Sequence, residues 1–167
     1  MTISASNIEI QPVHSIPKSI SMEHIENAIL LAYRESKRAY DFHISVNIRI
    51  VGREEGTEIN KKFKRKNAPT NVLAFEGDPT KENQLGVDSP SLGDIVVCYP
   101  VIEKESHELK KTVEDHFVHM IIHGFLHLMG YDHQDDHEEE KMNELTHKIL
   151  GLMMLSLIHI SEPTRPY

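Results

Sequence analysis

The chain has 167 residues and a formal net charge of −8 at pH 7, with 39% hydrophobic and 26% charged residues. This size and composition suit one soluble globular domain, disfavour a general nucleic-acid coat protein, and leave no apolar run near the roughly 18 residues of a membrane span. Cys98 is the single cysteine, which excludes an intramolecular disulfide and a thiolate-rich zinc site. The N-terminus lacks the features of a secretory signal, so we expect a cytosolic protein without membrane association.

The first half of the chain predicts a strand, a helix and a second strand. Apolar residues alternate with polar ones over 7–13, which is typical of a short edge strand. Over 21–39 they recur at three- and four-residue spacing behind a capping Ser21, which predicts an amphipathic helix. Alternation resumes over 43–51, and Gly52 closes this second strand.

The second half predicts two more strands and several helices. A short surface helix over 54–64 ends in a basic run, and β-branched runs predict strands over 70–75 and 92–99. Between these strands, glycine, proline, aspartate, asparagine and serine predict an exposed loop over 77–91. The remaining apolar periodicity predicts three helices, over 101–107, 110–129 and 136–152.

These elements predict an α+β fold, with about four strands in a mixed sheet, about five helices and a metal site on a late helix. We expect a single domain over 1–154. The remaining segment, 155–167, continues neither the apolar nor the charge pattern and resembles a translated sequencing-adapter sequence. We therefore interpret 155–167 as a non-native or disordered tail that packs poorly, the alternative being a genuine C-terminal extension.

Histidines are concentrated on the predicted helix at 110–129. His123 and His127 are four residues apart, so their rings project from one helical face and can bind one metal ion. Gly130 can end the helix in the left-handed conformation, so the chain can turn back and supply His133 as a third ligand. Three nitrogen ligands leave one coordination position open, which is typical of catalytic zinc. The alternative is a set of core or surface histidines at chance spacing.

The same histidine spacing occurs in metzincin proteases, whose glutamate after the first histidine is the general base. That position is Gly124 in this chain, and glycine cannot accept a proton. A metalloprotease would need a glutamate from elsewhere, and those at 138–140 lie outside the helix and are expected to be solvated. We therefore rank peptide hydrolysis last among the candidate activities.

Residues 123–133 read His-Gly-Phe-Leu-His-Leu-Met-Gly-Tyr-Asp-His, and four further segments accompany them upstream, at 60–63, 69–75, 92–98 and 116–119. Together they resemble the YbeY family of bacterial endoribonucleases, which act in ribosomal RNA maturation and ribosome quality control. The resemblance implies one zinc ion, Zn²⁺, held by His123, His127 and His133, and cleavage of RNA with a preference for single strands. It also implies a bacterial cytoplasmic protein that acts in 16S rRNA 3′-end maturation. Its implied partners are ribosomal RNA and the small ribosomal subunit, with ribosomal proteins or an assembly GTPase as further candidates.

The resemblance also assigns charged residues. An arginine linked to activity in the family aligns with Lys64, and Arg65 follows, so we expect Lys64, with Arg65 as its substitute, to stabilise negative charge on a phosphate. The alternative is that this basic run is a solvated helix end near the negative pole of the helix dipole. Asp94 is implied to line the same cleft as the histidines, and otherwise is a strand-end residue.

Three residues near the predicted ligands have open roles. His116 and His119 share the face of the ligand pair, either as supporting groups and cavity lining or as buried histidines bonded to backbone or carboxylate. Asp132 either orients the ring of His133 or stabilises the turn after Gly130. No general base is identified, and both water and the RNA 2′-hydroxyl are candidate nucleophiles.

The leading hypothesis is therefore a zinc-dependent endoribonuclease. A ribosome-assembly or RNA-binding factor with a structural zinc is the alternative, because such a protein needs no general base. Removal of the metal separates the two, since a binding factor would lose stability together with binding, whereas an enzyme can stay folded and lose turnover.

Overall fold

The structure is a computed structural model that describes residues 2–64, 70–131 and 136–161, with the backbone alone at residue 64 and over 155–161. Its first element is a short 3-10 turn, Ala5–Asn7. The described strands are β1 (Ile8–Pro12), β2 (Ser45–Val51), β3 (Val72–Glu76) and β4 (Ser91–Cys98). The described helices are α1 (Met22–Ser36), α2 (Arg53–Lys64), α3 (Pro79–Gln84), α4 (Tyr99–Glu108), α5 (Val113–Leu128) and α6 (Asp136–Ser161).

The strands form one mixed sheet in the order β1-β2-β4-β3. β1, β2 and β4 are parallel, whereas β3 is antiparallel to β4 and lies at the edge. The register between β2 and β4 shifts between Ser45 and Asn47, where Gly93 of β4 has a φ of +141°. A Cβ at Gly93 would lie 2.1 Å from the carbonyl oxygen of Phe75, so the position requires glycine.

The two faces of the sheet are covered differently. On one face α1, α5 and α6 bury the main core, which joins strand residues such as Ile48 and Ile95 to helix residues such as Ile29 and Phe125. On the other face Ile59 of α2 packs against a smaller cluster formed by Val51, Leu73, Val96 and Cys98. The larger helical layer therefore places α5 beside β3 and β4.

The predicted single-domain α+β fold with a four-stranded mixed sheet is confirmed, and the helix count is six in the described ranges. The additional helix is α3, which lies in the segment predicted as a loop. Its start is explained by local chemistry, because the Asp78 side chain accepts a hydrogen bond from Lys81 N and Pro79 occupies the first turn. The prediction of a loop over 77–91 is therefore wrong for residues 79–84, which form α3.

The last helix is longer than predicted. α6 continues to Ser161, past the predicted end at residue 152, and it buries Met142, Thr146, Ile149 and Met153 at three- and four-residue spacing. The side chains of 155–161 and all of 162–167 lie outside the described residues, so the interpretation of 155–167 as a tail stays a prediction. None of the described helices combines the length and the apolar composition needed to cross a membrane.

Candidate active site

Helix α5 carries two of the predicted metal ligands. Thr112 caps its start by accepting a hydrogen bond from Asp115 N, which is why α5 begins at Val113 and not at the predicted residue 110. The apolar side of α5 is buried in the core, whereas His123 and His127 are half-buried. Both histidines line a cleft of about 320 Å³ between α5 and the start of β3, together with Asn71, Val72, Leu73, Ala74, Met120 and Gly124.

Gly124 lets α5 approach the sheet closely. A Cβ built at this position would lie 3.1 Å from Cγ2 of both Ile95 and Val72, two branched side chains that leave little room for it. A glutamate side chain at 124, as the protease mechanism would require, would start in this packed space between helix and sheet. Gly124 therefore removes the general base of a protease, and it also has a packing role, because the close contact sets the distance between the two histidines and β3.

His123 and His127 are placed as two of the three nitrogen ligands expected for a zinc ion. Their imidazoles lie on successive turns of one helix and line one cleft, as expected for two ligands of a single ion. The third predicted ligand, His133, and the neighbouring Asp132 lie outside the described residues. Within the described ranges alone, no group of three histidine, cysteine or acidic side chains is close enough to hold a metal.

The turn after α5 is anchored to the end of α1. Gly130 has a φ of +96°, the conformation predicted for a helix-ending glycine. The hydroxyl of Tyr131 donates to the carbonyl oxygen of Ser36 at 3.2 Å, and Arg38 Nη1 donates to the carbonyl oxygen of Met129 at 3.2 Å. These contacts fix the chain up to Tyr131, two residues before the predicted third ligand.

The buried His116 belongs to a hydrogen-bond network with two partly exposed residues, Glu105 and Asn71. Its Nε2 lies 2.9 Å from Oε1 of Glu105 on α4, and the same carboxylate oxygen accepts a hydrogen bond from Asn71 Nδ2 at 3.0 Å. His116 is therefore a buried histidine bonded to a carboxylate, which is one of its two predicted roles. Through Glu105 it is connected to the wall of the cleft at Asn71.

His119 lies outside the set of cleft-lining residues. Burial, with the nearby Lys111, His116 and His147, lowers the pKa of His119 to about 4. Its Nδ1 is 3.1 Å from the Lys111 ammonium, which can only donate, so this nitrogen is the acceptor and the ring is neutral at pH 7. The geometry gives His119 a packing and hydrogen-bonding role.

Of the three charged residues assigned by the resemblance, Lys64, Arg65 and Asp94, the structure describes the side chain of Asp94 alone. Lys64 is the last residue of α2, its side chain lies outside the described residues, and so does the whole of Arg65. Asp94 lies on the opposite face of the sheet from the histidine cleft, contrary to the expectation from the resemblance. It accepts a hydrogen bond from Asn47 Nδ2 at 3.1 Å and borders a groove of about 480 Å³ that also includes Phe63 and Phe75.

The register shift at Gly93 explains the position of Asp94. Simple alternation along β4 would place Leu92 and Asp94 on one face, but two residues of β4, Leu92 and Gly93, oppose one residue of β2. Leu92 and Ile95 consequently both enter the main core, and Asp94 is exposed on the other face.

Sequence reasoning missed Asn71 and Glu105 as site residues. Asn71 stands in the segment 69–75 that contributes to the family resemblance, so a signal was present for it. Glu105 lies among other charged residues of α4, such as Glu103 and Lys104, and nothing in its spacing separates it from them. Its role depends on a contact with residues far along the chain.

Comparisons with known proteins are consistent with one another. A sequence profile described as Endoribonuclease YbeY matches residues 7–153. A protein named Endoribonuclease YbeY from Coxiella burnetii is 44% identical over 107 residues, covering 64% of this chain and 68% of that protein. A protein of the same name from Stutzerimonas stutzeri is 46% identical over 106 residues, covering 64% of each chain. The solution structure of a Thermotoga maritima protein aligns with a TM-score of 0.57 at 24% identity, over 95% of this chain and 99% of that chain, a likeness of fold.

Proposed function

This chain belongs to the YbeY family of endoribonucleases, and from that premise we propose that it is a zinc-dependent enzyme that cleaves single-stranded RNA at the α5 cleft. The observation that carries the proposal is the placement of His123 and His127 on one wall of a cleft, opposite the start of β3. Zinc dependence rests on the donor set, in which His133 is the third ligand. The cleft is open to solvent at two half-buried imidazoles, as a substrate site requires.

The proposed physiological substrate is ribosomal RNA, in 16S rRNA 3′-end maturation and ribosome quality control. The small ribosomal subunit is the proposed partner, with ribosomal proteins or an assembly GTPase as further partners, in the bacterial cytoplasm. These assignments follow from membership of the family and from the resemblance of the motifs, and they refine the coarser activity of RNA cleavage. Association with ribosomal subunits in cell extracts, and accumulation of 16S precursors in a deletion strain, test them.

When bound, zinc supplies Lewis acidity next to the scissile phosphate. His123 and His127 would hold the ion from adjacent turns of α5, and the close contact of Gly124 with the sheet fixes their distance from β3. Lys64, or Arg65 in its place, is proposed to stabilise the negative charge that develops on the phosphate. Helix α2 ends beside the edge strand β3, because Phe63 of α2 contacts Phe75 of β3 with ring centres 5.1 Å apart.

The attacking group is identified by the product ends. If the 2′-hydroxyl attacks, its oxygen forms a bond to phosphorus, the bond to the 5′-oxygen breaks, and the products are a 2′,3′-cyclic phosphate and a 5′-hydroxyl. If water attacks, its oxygen bonds to phosphorus and loses a proton, either the P–O3′ or the P–O5′ bond breaks, and the departing oxygen takes up a proton. The products then carry a phosphate at one end and a hydroxyl at the other, with no cyclic phosphate. Chromatography of the cleaved ends distinguishes the two directly.

The proposed function is tested by metal analysis and cleavage assays on the full chain. We expect about one zinc per chain and cleavage of single-stranded oligoribonucleotides in preference to duplexes. His123→Ala should lower the cleavage rate at least about 100-fold, because even groups that only support a metal ligand are worth 10- to 100-fold. His107→Ala is the matched control, since His107 is an exposed residue of α4 outside the cleft, and it should cleave normally.

Two results would contradict the proposal. A His123→Ala variant that cleaves at the normal rate would place the activity elsewhere in the molecule. A wild-type protein that binds RNA without cleaving it, and unfolds when zinc is removed, would indicate an assembly factor with a structural zinc.

A further inference from the structure

We propose that Asn71 contacts the scissile phosphate, and that Glu105 and His116 hold its side chain in place for this contact; the inference rests on the proposed function. Asn71 lines the same cleft as His123 and His127. It lies immediately before β3, so it faces α5 from the opposite wall. The proposal adds one substrate-contacting residue and two positioning residues to the site.

The backbone of Asn71 is fixed by the sheet. Its carbonyl oxygen accepts a hydrogen bond from Cys98 N at 2.9 Å, which joins the start of β3 to the end of β4. Its side-chain oxygen Oδ1 accepts from Val72 N at 2.7 Å. Both acceptors of Asn71 are therefore engaged, and the side chain is oriented by its own strand.

Glu105 fixes the nitrogen end of the same side chain. Asn71 Nδ2 donates to Glu105 Oε1 at 3.0 Å, and His116 Nε2 lies 2.9 Å from that oxygen. A carboxylate only accepts, so Nε2 of His116 carries a proton and donates as well. The side chain of His116 is 5% exposed, so this arm of the network is held within the packing of α4 and α5. With Oδ1 accepting from Val72 N and Nδ2 donating to Glu105, the Asn71 amide is held in a single orientation.

One donor of Asn71 then remains. An asparagine amide has two N–H groups, and Glu105 accepts only one of them. Among the described residues that line the cleft, the other side chains are the two histidines and the apolar Val72, Leu73, Ala74 and Met120. The two histidines are assigned to the metal, and the apolar side chains cannot donate a hydrogen bond. Among the described side chains that line the cleft, the second N–H of Asn71 is therefore the uncharged donor left to contact a substrate. A donor fixed before the substrate arrives is the arrangement that stabilises negative charge developing on a phosphate oxygen.

The role is tested with Asn71→Ala and Asn71→Asp in full-length protein, with single-turnover and steady-state cleavage of a single-stranded oligoribonucleotide. We expect kcat to fall at least about tenfold in both variants with KM changed less than about threefold, because the contact strengthens as charge develops. Asn71→Asp keeps the size of the side chain and replaces the donor with an anion. Zinc content and the thermal midpoint, measured on the same samples, should stay near the wild-type values for Asn71→Ala.

The positioning role is tested by a double-mutant cycle. Glu105→Gln alone should lower kcat, because it loosens the orientation of Asn71, but it should have no further effect on kcat in the Asn71→Ala background. Glu103→Gln is the matched control on the same helix, since Glu103 contacts Tyr99 and lies outside this network. Additive losses of kcat in the cycle would refute the positioning role of Glu105.

A readout independent of turnover is the side-chain amide resonance pair of Asn71, identified by its absence from the Asn71→Asp spectrum. Addition of a 2′-O-methyl oligoribonucleotide should shift this pair, and unchanged resonances in an otherwise bound complex would refute the contact. If the wild-type protein cleaves RNA and Asn71→Ala has the same kcat, the role of Asn71 is refuted alone. If the wild-type protein does not cleave RNA, the proposed function fails and this role with it.

Discussion

The guanidinium carbon of Arg38 lies 3.8 Å from the centre of the Tyr131 ring. The same guanidinium donates to the carbonyl oxygen of Met129 at 3.2 Å, where the last carbonyls of α5 lack partners within the helix. Arg38 therefore stacks on one residue of the turn and caps another. This contact attaches the turn that leads to His133 to the far end of α1.

Replacement of Arg38 by methionine should destabilise the protein by about 1–2 kcal/mol, the combined scale of an exposed cation–π contact and one hydrogen bond. Urea unfolding followed by circular dichroism measures the change. Arg34→Met is the matched control in the last turn of α1, since the half-exposed Arg34 side chain pairs with the neighbouring Glu35, and its cost should be below about 0.5 kcal/mol. Equal losses in the two variants would show that the contact with Tyr131 contributes nothing.

Two helical glycines should respond in opposite ways to alanine. Gly151→Ala should stabilise the protein by up to about 1 kcal/mol, because nothing lies within 4 Å of the added Cβ and alanine favours helix. Gly124→Ala gains the same preference, but its Cβ would lie 3.1 Å from Ile95 and Val72, so overpacking of about 1–3 kcal/mol opposes it. Thermal and urea unfolding should rank the two variants in this order. A Gly124→Ala protein as stable as Gly151→Ala would mean that the sheet yields to α5 without cost.

Protonation of His119 should weaken the fold in acid. Burial, together with Lys111, His116 and His147, lowers the pKa of His119 from 6.5 to about 4. Between these two values the unfolded chain binds a proton that the folded chain does not, so the stability falls as the pH falls from 6.5 towards 4, by at most about 1.4 kcal/mol per pH unit. In His119→Gln, which can still accept from Lys111, the free energy of unfolding should depend less steeply on pH in this window. Identical pH profiles for the two proteins would contradict the lowered pKa.

Restoration of arginine at position 64 tests the proposed phosphate contact. Lys64→Arg should raise kcat/KM roughly fivefold, because a guanidinium offers a bidentate hydrogen bond that an ammonium cannot. Lys64→Ala should lower it. Lys61→Arg, an exposed position of the same helix, is the control and should leave cleavage unchanged. If Lys64→Arg, Lys64→Ala and the wild-type protein cleave equally, this position takes no part in the reaction.

Local patterns predicted most of the elements and the histidines of the described site. Helix α5 could be predicted because its apolar periodicity and the helix-ending Gly130 lie within the segment that they organise, although its start at Val113 was set by the cap Thr112, which the prediction did not use. The pairing of His123 with His127 in one cleft follows from the same helical geometry. Such features depend on neighbours in the chain, which the sequence displays directly.

The features that could not be predicted depend on contacts between distant segments. Asp94 changes faces because of a bulge at Gly93, and the bulge reflects pairing with β2 rather than any preference of β4 alone. Glu105 acquires its role only when α4 brings it to Asn71 and His116, which are 34 and 11 residues away. The close approach at Gly124 likewise requires the side chains of β3 and β4.

The antiparallel pairing of β3 with β4 has a consequence for how related chains can vary. A hairpin can close with as few as two residues, whereas parallel strands require a long crossover. The chain nevertheless uses the segment 77–90 between β3 and β4, and most of this segment is exposed. Insertions and deletions should therefore accumulate between Gly77 and Pro90 across the family, while the number of residues from Asn71 to the end of β3 stays constant.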